Sequence, residues 1–294
     1  MPRFLARIGS LCALALTLAA SPARAGDAPR GTLTMYKIAA PAVRDPQRSV
    51  RVYLPASYAS AAARERRYPV VFLLHGWPGG DGNWPGQGRA TDTLDSLIAT
   101  GRIPEVIAVM PNASGVGFLS RSMYVNTCDG SSRVEDFLVR DLVAWVDSTF
   151  RTRPEARYRG LIGLSEGGSA AINLAFKHPD VFGACGSHSG DFRLERGMGE
   201  SKILGPDPGA AKLLAENSPL EYVARVAPRI RGMSIYFDCG LEDTEEIAQG
   251  RELHRKLDEL GVPSTWNEFP GGHSWGYWKT HLRESLLAVT AKMR

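Results

Sequence analysis

Leu161-Ile162-Gly163-Leu164-Ser165-Glu166-Gly167-Gly168 constrains the fold of this chain more than any other segment. An apolar, strand-like run enters it, and Ser169–Lys177 leaves it with helical spacing. Gly163-Leu164-Ser165-Glu166-Gly167 fits the pattern G-x-S-x-G. In that pattern the serine sits on a tight turn from strand to helix, so that its Oγ stands clear of a sheet. Side chains two residues before and two after the serine would collide there, and both positions are glycine. A strand followed directly by a helix at this point is the unit from which an alternating α/β architecture is built.

The rest of the chain keeps the same alternation. Strand-like runs are Arg48–Leu54, Tyr68–Leu74, Val106–Met110, Tyr158–Leu164, Ala184–His188, Ser234–Phe237 and Ser264–Phe269. Tyr68–Leu74 is almost continuously apolar, as a strand covered on both faces must be. Helical periodicity marks Thr91–Thr100, Val134–Phe150, Glu245–Leu260 and Trp278–Met293. The stretch between Gly190 and Arg231 holds four prolines and reads as irregular chain with short helices. These runs predict a mainly parallel sheet with helices on both faces, in one domain over residues 26–294.

The N-terminus predicts a cleaved secretory leader over residues 1–25. Arg3 and Arg7 precede the 13-residue apolar run Ile8–Ala20, and Ala23-Arg24-Ala25 supplies a cleavage site. The run is shorter than the ~20 residues that span a bilayer, so stable membrane insertion is not expected. The expected location is outside the cell or in the periplasm. Without the leader, 35 Lys+Arg becomes 32 against 31 Asp+Glu, and the net charge falls from +4 to +1. That balance predicts no nucleic-acid partner. Cys12 lies in the leader, and Cys128, Cys185 and Cys239 remain. Their spacing matches no zinc site, and they read as small buried residues with at most one bridge.

Ser165 is the candidate nucleophile. On an elbow scaffold the order is serine, acid, histidine, which places the base late in the chain. His273 follows the strand ending at Phe269 and a Pro270-Gly271-Gly272 turn, where a loop can carry an imidazole over the sheet edge. His254 reads as a solvated helix residue and His281 as structural, while His178 and His188 are poorly placed. The acid belongs at the end of Ser234–Phe237, where Asp238, Glu242, Asp243 and Glu245 are all candidates. Two backbone N–H groups, of Glu166 and of Trp77 after His75-Gly76, are expected to form an oxyanion hole. His75 precedes the nucleophile and reads as a residue that steadies this loop.

Five segments resemble one family: Phe72-Leu73-Leu74-His75-Gly76, Val109-Met110-Pro111-Asn112, the elbow, Gly240-Leu241-Glu242-Asp243, and Gly272-His273-Ser274-Trp275-Gly276-Tyr277-Trp278. They are similar to the α/β-hydrolase esterases that include esterase D, enterochelin- and feruloyl-esterase-like proteins and the antigen 85 mycolyltransferases. The resemblance runs from about residue 45 to about residue 290. It implies the α/β-hydrolase fold with about eight strands, Asp243 as the acid, and a serine esterase acting on a small-molecule ester without metal or cofactor. Acyl transfer to a sugar or alcohol, and a non-catalytic binding role, are the alternatives. Trp77, Trp84, Phe118, Tyr124 and Trp275 are expected around the substrate. Glu166 departs from the family's usual pattern, which has Met or Gln there. A carboxylate beside an oxyanion hole opposes an anionic transition state unless it is turned away and paired.

Overall fold

The computed structural model describes residues 29–197 and 200–294, and the expected leader lies outside them. Eight strands form one sheet: β1 Thr32–Ala40, β2 Asp45–Leu54, β3 Val70–Leu74, β4 Ile107–Pro111, β5 Arg159–Leu164, β6 Ala184–His188, β7 Ser234–Gly240 and β8 Thr265–Phe269. Their order is β1-β2-β4-β3-β5-β6-β7-β8. β1 and β2 are antiparallel to their neighbours, and every other pairing is parallel. Seven strands match the sequence reading. β1 was not among them, because it is an edge strand whose first residues face outward and so lacks a buried apolar run.

Helices cover both faces. α1 is Ala90–Ala99. α2 combines Val134–Asp136 and Val143–Thr149 through a π-helical turn at Phe137–Leu142. The others are α3 Glu166–Lys177, α4 Pro219–Ile230, α5 Thr244–Glu259 and α6 Trp275–Thr290. Residues of α2, α3, α4 and α5 pack with one apolar core, and α1 and α6 with the other. β3, β4 and β5 are buried along their whole length, which is why they read as unbroken apolar runs. The two cores fix the sheet, and its parallel strands all deliver their C-terminal ends to one edge. No described helix is long and apolar enough to cross a membrane.

The described cysteines form no disulfide. Cys128 is exposed, while Cys185 and Cys239 are buried. The Cys185 thiol faces Met233 Sδ, and the Cys239 thiol donates to the Asp243 carbonyl.

Candidate active site

Ser165 lies between β5 and α3 with φ 52° and ψ −127°. Positive φ at a non-glycine residue is strained, and the surroundings must hold it. They do so from both sides. A Cβ on Gly163 would lie 1.9 Å from the Gly167 carbonyl oxygen, and one on Gly167 would lie 2.4 Å from the His75 carbonyl oxygen. The Ser165 N–H donates to the His188 carbonyl at 2.9 Å, and its own carbonyl accepts from Gly168 and Ser169. The turn therefore aims the hydroxyl away from the sheet.

The loops after β7 and β8 bring the other two groups to it. Leu241 N–H donates to Phe269 O and Glu242 N–H to Gly271 O, so the two loops are tied together. His273 Nδ1 then lies 2.8 Å from Asp243 Oδ2, and His273 Nε2 lies 2.9 Å from Ser165 Oγ. Asp243 is buried, while His273 is 37% exposed on its side chain. Burial opposes the charge on Asp243, but hydrogen bonds from His273, Glu246 and Ser189 outweigh it and hold the carboxyl at about 2. For His273, burial favours the neutral ring, and the contact with Asp243 reverses this and raises its pKa. The Trp278 ring stands edge-on to the imidazole at 4.9 Å.

The sequence left several acids open, and the structure separates them. Glu242 and Glu245 point to solvent. Asp238 faces a different histidine: His188 Nδ1 lies 2.9 Å from it, and His188 Nε2 lies 2.9 Å from Ser285 Oγ. This second serine–histidine–aspartate chain is sealed in the core, with both ion-pair side chains at 0% exposure. The Ser285 hydroxyl donates to the Leu282 carbonyl, and Asp238 also accepts from Tyr236 and Tyr277. It is a structural network.

Other predicted residues divide. His75 is buried, its Nε2 accepts from Ala113 N–H at 3.0 Å, and burial lowers its pKa. It steadies the loop, as its position implied. That loop passes the elbow closely: a Cβ on Gly76 would lie 3.1 Å from Ser165 Cβ. Trp77 follows it and packs against Phe118, which is 58% exposed. Trp275 is half-buried and packs edge-on against Trp84 and Trp278. Trp84 and Tyr124 do not line a substrate rim, contrary to expectation. Each is 1% exposed, because its polar tip is claimed by backbone: Trp84 Nε1 by Leu74 O and Tyr124 OH by His75 O. His178 pairs with Glu135, His254 bonds Ser264, and His281 stacks on Phe269.

Glu166 is answered by a residue that the sequence did not flag. Arg121 Nε lies 2.5 Å from Glu166 Oε2, and the same guanidinium pairs with buried Glu200. Glu166 Oε1 accepts from Met123 N–H at 2.9 Å. Burial raises the Glu166 pKa, and Arg121 and this N–H pull it back. The guanidinium also sits 5.1 Å over the Trp77 ring. Both carboxylate oxygens of Glu166 are thus occupied, one by a guanidinium and one by a backbone N–H. Arg121 lies 45 residues upstream in an irregular loop, so no spacing could reveal it. Glu246 was also missed. It sits one helical turn after Asp243, and burial and Asp243 push its pKa up to about 8. Asp243, Glu246 and His273 bring three potential ligand atoms within 4.8 Å of one another, but Asp243 and His273 already satisfy each other by hydrogen bonding.

A family model described as "Putative esterase" matches residues 43–289. Esterase Rv1288 of Mycobacterium tuberculosis is 30% identical over 270 residues, covering 83% of this chain and 56% of that protein. An endo-1,4-beta-xylanase/feruloyl esterase of Xylanibacter ruminicola is 33% identical over 157 residues, covering 53% of this chain and 21% of that protein. The chain thus spans about half, or less, of these relatives' length. A solved ferulic acid esterase superposes with TM-score 0.80 at 26% identity, over 90% of this chain and 99% of that one.

Proposed function

Since this chain belongs to the esterase family of α/β-hydrolases, we propose that it hydrolyses carboxylic esters through an acyl-enzyme on Ser165. One observation carries this reading: the continuous chain Ser165 Oγ, His273, Asp243 at 2.9 and 2.8 Å on a strained elbow.

Ser165 Oγ attacks the ester carbonyl while His273 Nε2 accepts its proton. Asp243 accepts from Nδ1–H, fixes the tautomer and stabilises the imidazolium. The N–H groups of Trp77 and Glu166 hold the developing oxyanion, a role supported by the close passage of Gly76 over Ser165. His273 then protonates the leaving alcohol, and water, deprotonated by the same ring, releases the acid. Trp77, Phe118 and Trp275 form the aromatic rim, and the likeness to a ferulic acid esterase supports an aryl or acyl ester as substrate. We read residues 26–294 as the catalytic domain, delivered outside the cytoplasm by the leader.

Ser165→Ala tests the reading. The variant should lose p-nitrophenyl acetate turnover and labelling by a fluorophosphonate. Persistent labelling would overturn the assignment of the nucleophile.

A further inference from the structure

α1 and the first half of α6 lie side by side over one core and leave a groove of about 530 Å3 between them. Arg102, Lys279 and Arg283 line it, with the hydroxyl groups of Thr93, Thr100 and Thr280. All three cations are exposed. The groove's one carboxylate, Asp92, is already shared by Arg89 and Arg30. Among the described residues, Arg102, Lys279 and Arg283 take part in no ion pair, whereas Arg193 has Glu221 and Glu252, and Arg251 has Glu268. Like charges gathered without internal partners repel one another and add nothing to folding.

The groove also has a direction. Trp275, the first residue of α6, packs edge-on against Trp84 at 5.7 Å, just before α1. At the other end, Arg294 donates to the Gly101 and Arg102 carbonyls beyond α1. The two helices therefore run parallel, and the cationic strip starts beside the His273 loop and leads away from it.

We propose that this groove binds an anionic polysaccharide, a chain bearing carboxylates on its sugars, and presents an ester on that chain to Ser165. The proposal rests on the ester-hydrolase reading of the site. Guanidinium groups match carboxylates in a fork geometry, and the threonine oxygens can accept from sugar hydroxyls, Thr100 and Thr280 having already given their own protons to the Ser96 and Gly276 carbonyls. The lining holds no aromatic side chain, so bases of a nucleic acid find no stacking platform. It holds no exposed apolar wedge for a membrane surface.

Affinity electrophoresis of the whole chain tests this, in gels containing polygalacturonate or neutral arabinoxylan. The wild type should be retarded by polygalacturonate and not by arabinoxylan, with retardation lost as salt rises from about 0.05 to about 0.5 M. R102E/K279E/R283E should weaken binding at least about tenfold, and the neutral R102Q/K279Q/R283Q should fall between. Both variants should keep the wild-type melting temperature and p-nitrophenyl acetate kcat/KM. Equal retardation of wild type and charge-reversed protein, no retardation of the wild type, equal retention by arabinoxylan, or tighter binding to anionic vesicles or oligonucleotides overturns the proposal. Retardation by a wild type inactive on p-nitrophenyl acetate would instead refute the esterase reading and leave the groove standing.

Discussion

Asp243→Asn keeps the shape of the side chain and removes the charge that orients His273. In the native protein, Asp243 Oδ2 accepts from Nδ1 at 2.8 Å. Hydrogen bonds from His273, Glu246 and Ser189 outweigh burial and hold its carboxyl at about 2, so the charge is fully present in the resting state. Asparagine can turn its amide N–H toward Nδ1, which moves the ring proton to Nε2 and blocks acceptance from Ser165. Loss of charge and tautomer together should lower kcat about 10⁴-fold, or about 5 kcal/mol. The pH profile supplies a second readout. His273 has a raised pKa, so activity rises with pH through a value above 6.5; in Asp243→Asn this limb moves to lower pH, since burial remains and the carboxylate is gone. Asp238→Asn is the control. It strips a buried acceptor from His188, Tyr236 and Tyr277, and should cost about 3–5 kcal/mol of stability while folded molecules keep kcat within about tenfold. Steady-state p-nitrophenyl acetate kinetics and thermal melts of both variants decide. A larger kcat loss from Asp238→Asn at unchanged melting temperature would refute the assignment.

Arg121→Met leaves Glu166 buried without its cation; kcat/KM at pH 8 should fall about tenfold and stability by about 3 kcal/mol, and Arg121→Met/Glu166→Gln should recover most of both in a double-mutant cycle. Burial and the neighbouring Asp243 push the Glu246 carboxyl from the ordinary 4.5 up to about 8, so the stability it contributes is fully present below pH 4.5 and is lost as pH rises toward 8. Glu246→Gln should flatten this decline in urea titrations run at several pH values; an unchanged slope would discount the contact with Asp243. Trp275→Ala should raise KM for aryl esters several-fold more than kcat changes, and equal changes for aryl and small alkyl esters would remove Trp275 from the rim.

The central sheet was legible because burial writes itself into sequence. Val70–Leu74, Ile107–Pro111 and Arg159–Leu164 are covered on both faces, so each reads as an apolar run between turn residues. Thr32–Ala40 sits at the edge with its first residues in water, and no such run records it. The helix expected over Val134–Phe150 was found, but its π turn at Phe137–Leu142 was not, since one extra residue in a turn barely disturbs the apolar period. Ser165 and His273 were legible from local context, a glycine-flanked elbow and a turn after a strand. Trp84 and Tyr124 were misplaced for the opposite reason: an aromatic ring looks the same at a rim or in a core until the partner of its polar tip is known.

The two serine–histidine–aspartate chains show why residue identity cannot choose an active site. Their atoms are joined alike, serine Oγ to Nε2 and Nδ1 to carboxylate, at 2.8–2.9 Å. Solvent access differs, since His273 is 37% exposed and His188 is fully buried. Proton accounting also differs. Ser285 donates its proton to Leu282 O, so toward His188 it acts as an acceptor, and a substrate would find no hydroxyl to activate. Ser165 Oγ has no such outlet among the described residues, and its one side-chain contact is with His273 Nε2 at 2.9 Å. The buried set also serves the exposed one. His188 O accepts the Ser165 N–H, and Ser189 N–H donates to Asp238 O, so the buried network fixes the backbone beneath Ser165. Asp238 and Asp243 therefore stand five residues apart on one strand and its loop, with the first holding the frame and the second facing His273.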